Sequence, residues 1–220
     1  MVIAQFVASA ESHLALVLDR AGCILYSAAQ TLCPGDIYVL GLNPGGEGGP
    51  TIGQHLEKLP CQSANAYLDE SWENRAGTYS PGNAPLQRRL AWLIRELGYD
   101  LRNVCASNLV FMKSRDASGI VYPLDADLCW PVHEQIIGHV QPKLILAFGN
   151  SPVSPYGHMR QLFQGHEEMV PSGHGSWSCR GFEAELSGRK VFIAGLPHLS
   201  RYSPIGRREV VDWLKSKISL

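Results

Sequence analysis

The fold class this sequence predicts is α/β, a three-layer α/β/α sandwich with a central four-stranded parallel sheet, formed by one domain spanning 1–220. Three observations predict it. Four short apolar runs, near 37–42, 104–109, 143–148 and 190–196, lack polar alternation, as strands buried on both faces do. Segments of helical period separate them, and parallel neighbours require such crossovers. The polar residues Asn43, Asn108 and His198 fall at or just past the carboxyl ends of three runs, the edge where such sheets collect ligands.

Residues 2–18 place apolar side chains at helical spacing, and 33–36, Cys-Pro-Gly-Asp, is turn chemistry that feeds the first strand. That strand opens into Asn43, Pro44 and four glycines before Pro50. Bare backbone of this kind suits close approach to a flat or anionic ligand, or simply a generous turn. A short helix over 51–59 precedes a long stretch, 60–83, without periodicity. It carries Tyr67, Trp72 and Tyr79, aromatics that either stack on a flat ligand or pin the loop down.

Residues 84–97 read as a helix, with Pro85 in its first turn and Gly98 beyond its last periodic residue. After the second strand, 124–140 reads as a helix with Asp125 as N-cap and Pro131 as a kink or break. Ser154-Pro155 starts another that runs to about 163. Residues 165–188, polar and glycine-rich, read as loop with a hairpin at most, and 206–218 as a closing amphipathic helix.

Composition narrows the function classes. Hydrophobic residues at 45% and charged ones at 18% describe a soluble globule, and no apolar run is long enough to span a bilayer. The N-terminal stretch has no positive n-region, so the expected location is cytoplasmic, without a signal peptide or membrane partner. Six scattered cysteines without a C-x-x-C pair read as reduced thiols, so neither a metal nor another cofactor is expected. A net charge of −1 excludes a protein that coats nucleic acid by bulk charge, so any polyanion is held by a local patch.

Three motifs, Gly41-Leu42-Asn43-Pro44-Gly45, Asn108 after its strand, and Pro197-His198-Leu199-Ser200-Arg201, together resemble the uracil-DNA glycosylase superfamily, in its mismatch-specific and single-strand-selective branches. Order and rough spacing agree from Asp36 to Tyr202. The resemblance implies a monofunctional hydrolase of base-excision repair that cleaves the N-glycosidic bond of uracil or another deaminated or damaged base. In it, Asn43 orients water and His198 stabilises the departing base. Asn108 reads the base edge, while Gly41, Gly45, Tyr67 and Tyr79 surround the base. A monomer would bind DNA weakly and salt-sensitively, with the target base flipped out. Ser200, Arg201, Arg207 and Arg208 would meet phosphates, unless these arginines are simply a solvated helix start, with Tyr202 or Leu199 as the side chain filling the gap.

This chain departs from the pattern in two respects. Proline precedes His198 instead of following it, and no aromatic follows closely behind Asn43. The alternative is a non-catalytic or repurposed member that binds nucleic acid or a nucleobase-like ligand in the same cleft.

Overall fold

The computed structural model describes residues 3–74, 77–115 and 117–219. Along the chain run α1 (Ile3–His13), β1 (Ile37–Gly41), α2 (Ile52–Lys58), the single turn α3 (Ala66–Asp69), and the two-residue strands β2 (Glu73–Asn74) and β3 (Gly77–Thr78). There follow α4 (Pro85–Glu96), β4 (Cys105–Asn108), α5 (Leu124–Val140), β5 (Leu144–Phe148), α6 (Pro155–Leu162), β6 (Glu168–Pro171), β7 (Ser178–Leu186), β8 (Arg189–Leu196) and α7 (Arg208–Ile218).

All four apolar runs become strands, and they are parallel neighbours in the order β4-β1-β5-β8. Every residue of β1 and β5 is buried, which explains why neither run alternates. Tyr38, Leu40, Ile145, Ala147 and Ile193 face a core shared with α1, α2, α5 and α6. Ile37, Val39, Leu144, Leu146 and Ala194 face a second core shared with α4 and α7.

The sheet has six strands, which corrects the expectation of four. β7 pairs antiparallel with β8, and β6 antiparallel with β7. The two-residue turn between Leu186 and Arg189 is Ser187-Gly188, both at positive φ (50° and 72°), the twist that a tight hairpin requires. The stretch 165–188 is therefore mostly strand. Opposite it, 21–27 covers the outer edge of β4: Tyr26 N donates to Ala106 O (2.8 Å), and Ala106 N donates to Ser27 Oγ (2.9 Å).

Of the sequence-read helices, the first ends earlier than expected, and its first expected residue, Val2, lies outside the described residues. Thr51 caps α2 reciprocally with Gln54, and Ser154 caps α6 by accepting from Gly157 N. Asp125 is not the N-cap of α5. Pro123 holds that position, and Asp125 accepts from Val121 N (2.7 Å) inside the first turn. Pro131 sits within α5, which continues across it.

Candidate functional site

Parallel register sets the site. Gly41 pairs with Asn108 across β1 and β4, and Phe148 pairs with Leu196 across β5 and β8. Four strand ends thus form one row, with Asn43 two residues beyond β1 and His198 two beyond β8.

Asn108 is only 4% exposed, and its Nδ2 makes no hydrogen bond. Its other amide atom, Oδ1, lies directly over Gly41, where a Cβ would collide with it and would also meet Phe148 Cε2 at 3.0 Å. Glycine at 41 is thus the condition for this amide to lie across the end of β1. A buried donor left unsatisfied costs about 1–3 kcal/mol, so a fold keeps one where something else supplies the acceptor.

Asn43 is oriented in the opposite sense. Its Nδ2 donates to Ser114 Oγ (2.8 Å) and Pro44 O (2.9 Å), which uses both amide hydrogens and leaves the acceptor oxygen as the end offered outward. Ser114 is held there because its own N–H donates to Pro44 O (3.1 Å). The glycine loop beyond is exposed, with Gly46, Gly48 and Gly49 at positive φ, and Lys113 reaches across to Gly49.

His198 begins a helical turn in which Tyr202 N donates to His198 O (3.0 Å). The Ser200 backbone N–H points at Nδ1 (3.2 Å), and its hydroxyl lies 2.7 Å away. A backbone N–H only donates, so Nδ1 carries the lone pair and the ring hydrogen sits on Nε2. Partial desolvation of the ring, then the Arg201 charge, holds the imidazole below its ordinary pKa, so it is a neutral donor near pH 7. The turn is braced from α4, where Arg89 Nη1 donates to Leu199 O (2.7 Å) and Ser200 O (2.9 Å).

Phe148 joins these groups. Its ring meets His198 edge-on at 6.1 Å and Tyr67 at 6.3 Å, and Tyr67 packs on Tyr26 (5.4 Å) and Trp72 (5.6 Å). The Tyr26 hydroxyl lies beside the Asn108 amide without the geometry of a hydrogen bond to Nδ2. Burial drives the Tyr26 and Tyr67 phenols far above their usual range, so both stay neutral.

The structure brings together Gly41, Asn43, Asn108, Tyr67 and His198. Tyr79 is half-buried and tied to Trp72 through its backbone N–H (2.8 Å), and Gly45 is exposed with no atom near its Cβ direction. Ser200, Arg201, Arg207 and Arg208 are exposed on the same edge. Tyr202 and Leu199 are not available to fill a gap in DNA. Both are 0% exposed in the core, and the Tyr202 hydroxyl donates inward to Ser172 O (3.0 Å). The reason is the turn itself, whose i to i+4 bond points residue 202 at the sheet.

Sequence reasoning missed Tyr26, Phe148, Ser114 and Arg89. Phe148 carried a signal, as the last residue of a strand aimed at the same edge, whereas the other three act through tertiary contacts. Two cavities lie away from this edge. One of about 150 Å³ lies between Asp36, Tyr99 and Val140, and one of about 590 Å³ beside α4 at Trp92 and Arg95. Among the described residues no cluster of His, Cys, Asp and Glu is placed to hold a metal, and no helix is long and apolar enough to cross a membrane. The six cysteines are free thiols. No protein-family model matches the chain, and no curated protein does.

Proposed function

We propose that this chain is a DNA glycosylase of the uracil-DNA glycosylase superfamily, which hydrolyses the N-glycosidic bond of uracil or another deaminated base. The observation that carries the reading is Asn108, whose buried amide donor has no protein partner and lies on the row of strand ends that also carries a neutral imidazole donor and an asparagine that faces outward by its oxygen. A flipped pyrimidine supplies what is missing. Its O4 accepts from Nδ2 and its N3–H donates to Oδ1, a pattern that uracil offers and cytosine does not. The reading includes the three-layer α/β/α arrangement, supported by separate cores on the two faces of the sheet.

The chemistry divides between two residues. As the C1′–N1 bond breaks, negative charge develops on the base, and Nε2–H of His198 stabilises it without transferring its proton. Asn43 Oδ1 orients the water whose oxygen forms the new bond to C1′, with its proton lost to solvent and the released base anion protonated from solvent. An amide cannot accept that water's proton as a carboxylate would, so turnover is modest and rests on leaving-group stabilisation. The partner is DNA, bound weakly and salt-sensitively through a few arginines on a nearly neutral protein.

The test is incubation with oligonucleotides carrying uracil, hypoxanthine, xanthine or mismatched pairs, followed by alkaline cleavage at abasic sites. Release of uracil and not cytosine, with Asn108→Asp relaxing that discrimination, is the expected result. No release from any substrate while oligonucleotides still bind would rule out the enzyme reading.

A further inference from the structure

We infer that the turn joining β6 to β7 is a stacking shelf for a nucleobase neighbouring the one at Asn108, and that Arg207 holds the adjoining phosphate. This rests on nucleic acid being the ligand of the strand-end site, and it names a surface that base removal itself does not use.

Because β6 and β8 both run antiparallel to β7, they point the same way, and β6 delivers Pro171 to the edge that holds Leu196 and His198. The turn 172–177 therefore emerges beside the catalytic histidine. Two bonds tie it there: Tyr202 Oη donates to Ser172 O (3.0 Å), and Asn150, two residues after Phe148, donates from Nδ2 to Ser178 O (2.8 Å). The turn is braced internally by Ser172 N to Trp177 O (2.9 Å), Trp177 N to His174 O (3.1 Å) and His174 N to Ser172 Oγ (3.2 Å). Gly173 and Gly175, both at positive φ, permit this path.

The outcome is a fixed backbone carrying an indole that is 40% exposed, its ring 4.7 Å from that of His174. The rest of the turn is Ser, Gly and His, so the turn itself sets no other apolar side chain beside the indole. Arg207 lies across Gly173, with Cδ 2.9 Å from where a Cβ would stand. Neither it nor Arg201 nor Arg208 forms an ion pair with a described residue. A flat π face beside an unpaired guanidinium matches the base and phosphate of a single strand. It also replaces Tyr202, whose ring is buried, as the aromatic that meets the DNA.

The experiment measures fluorescence anisotropy of two labelled twelve-unit strands at low salt, one of thymidine and one of baseless sugar-phosphate, against the parent, Trp177→Ala, Trp177→Phe and Arg207→Gln. Trp177→Ala is expected to weaken binding of the thymidine strand about 5- to 100-fold and to leave the baseless strand unchanged, while Trp177→Phe stays near the parent. Arg207→Gln is expected to weaken both strands alike. Equal thymidine binding by the parent and Trp177→Ala, an equal loss on both strands, or no binding by the parent would overturn the shelf. Base release is scored separately: a parent that binds as described but releases no base removes the glycosylase reading alone, and release with Trp177 neutral removes the shelf alone.

Discussion

At the scale of single residues, the site depends on which hydrogen bonds are already taken. Asn43 and Asn108 are the same side chain with opposite offers, because Ser114 and Pro44 consume the donors of one while the donor of the other is buried without a partner. His198 resembles Asn43 in having one face committed, since the Ser200 N–H fixes its tautomer. His198→Ala is expected to slow base release roughly 10²–10³-fold with little change in oligonucleotide affinity, as loss of an oxyanion-type donor does. Single-turnover rates beside binding curves check this. The pH profile follows from the same geometry. The His198 imidazole is held below the ordinary value of 6.5, so base release, if His198 supplies its donor, is expected to persist as pH falls through 6.5 and to decline only further into acid. These tautomers and donor states were not legible in the sequence. What was legible was that two amides and an imidazole reach one edge, because strand ends are readable from where apolar runs stop. Tyr202 shows the limit: its place near His198 was readable, but the inward direction of its ring depended on a turn that no periodicity announces.

At the scale of elements, the long excursion between α2 and α4 is where sequence reading found least and tertiary bonding does most. Asn65 starts α3 by accepting from Tyr67 N (3.0 Å) and donates to Leu101 O (3.0 Å), fully buried. Gln87 on α4 is also 0% exposed; it donates to Ala66 O (2.8 Å) and Glu70 O (2.9 Å) and accepts from Ala84 N (2.9 Å). That one amide therefore places Tyr67 against Phe148. Gln87→Leu keeps the volume but leaves two carbonyls and an N–H without their partner, so a loss of at least about 2 kcal/mol in denaturant unfolding is expected. Faster proteolysis within 60–83 should accompany it, and unchanged stability and cleavage would show that the excursion is anchored elsewhere. Strand β7 was misread for a different reason. Gly181 lies against Phe192 and Trp213 on one face, while Phe182, Ala184 and Leu186 join the core on the other. The exposed Arg180, Glu183 and Glu185 alternate with them only in part, so the segment matched neither a buried run nor a clean period-2 pattern.

At the scale of the whole molecule, the helix layer on one face of the sheet is tied to it by polar groups buried in neutral form, and this makes the fold sensitive to acid. His133 on α5 is 0% exposed and bridges the layers, with Nε2 donating to Leu109 O (2.9 Å) and Nδ1 accepting from Tyr38 Oη (2.8 Å) on β1. Burial pushes its pKa down to about 4, and burial does the same to His55. The unfolded chain titrates near 6.5, so it takes up protons first as pH falls, and stability drains away between about 6.5 and 4 and levels off below. For His133 alone this amounts to about 2 kcal/mol by pH 5, a sizeable fraction of the 5–15 kcal/mol typical of a domain. The carboxylate contribution falls in a separate window: Asp69, held at about 2 first by its hydrogen bonds from Arg102, loses its pairing only as pH drops below 3.8, and at an exposed site the effect is small. Urea unfolding at pH 7 and pH 5 should therefore show a clear fall in midpoint before the carboxylates titrate. His133→Gln, which retains a hydrogen-bonding end but cannot charge, should start less stable at pH 7 and lose less on going to pH 5. Equal midpoints for the parent at the two pH values, or an equal fall in parent and variant, would show that the charge state of His133 does not link the helix layer to the sheet.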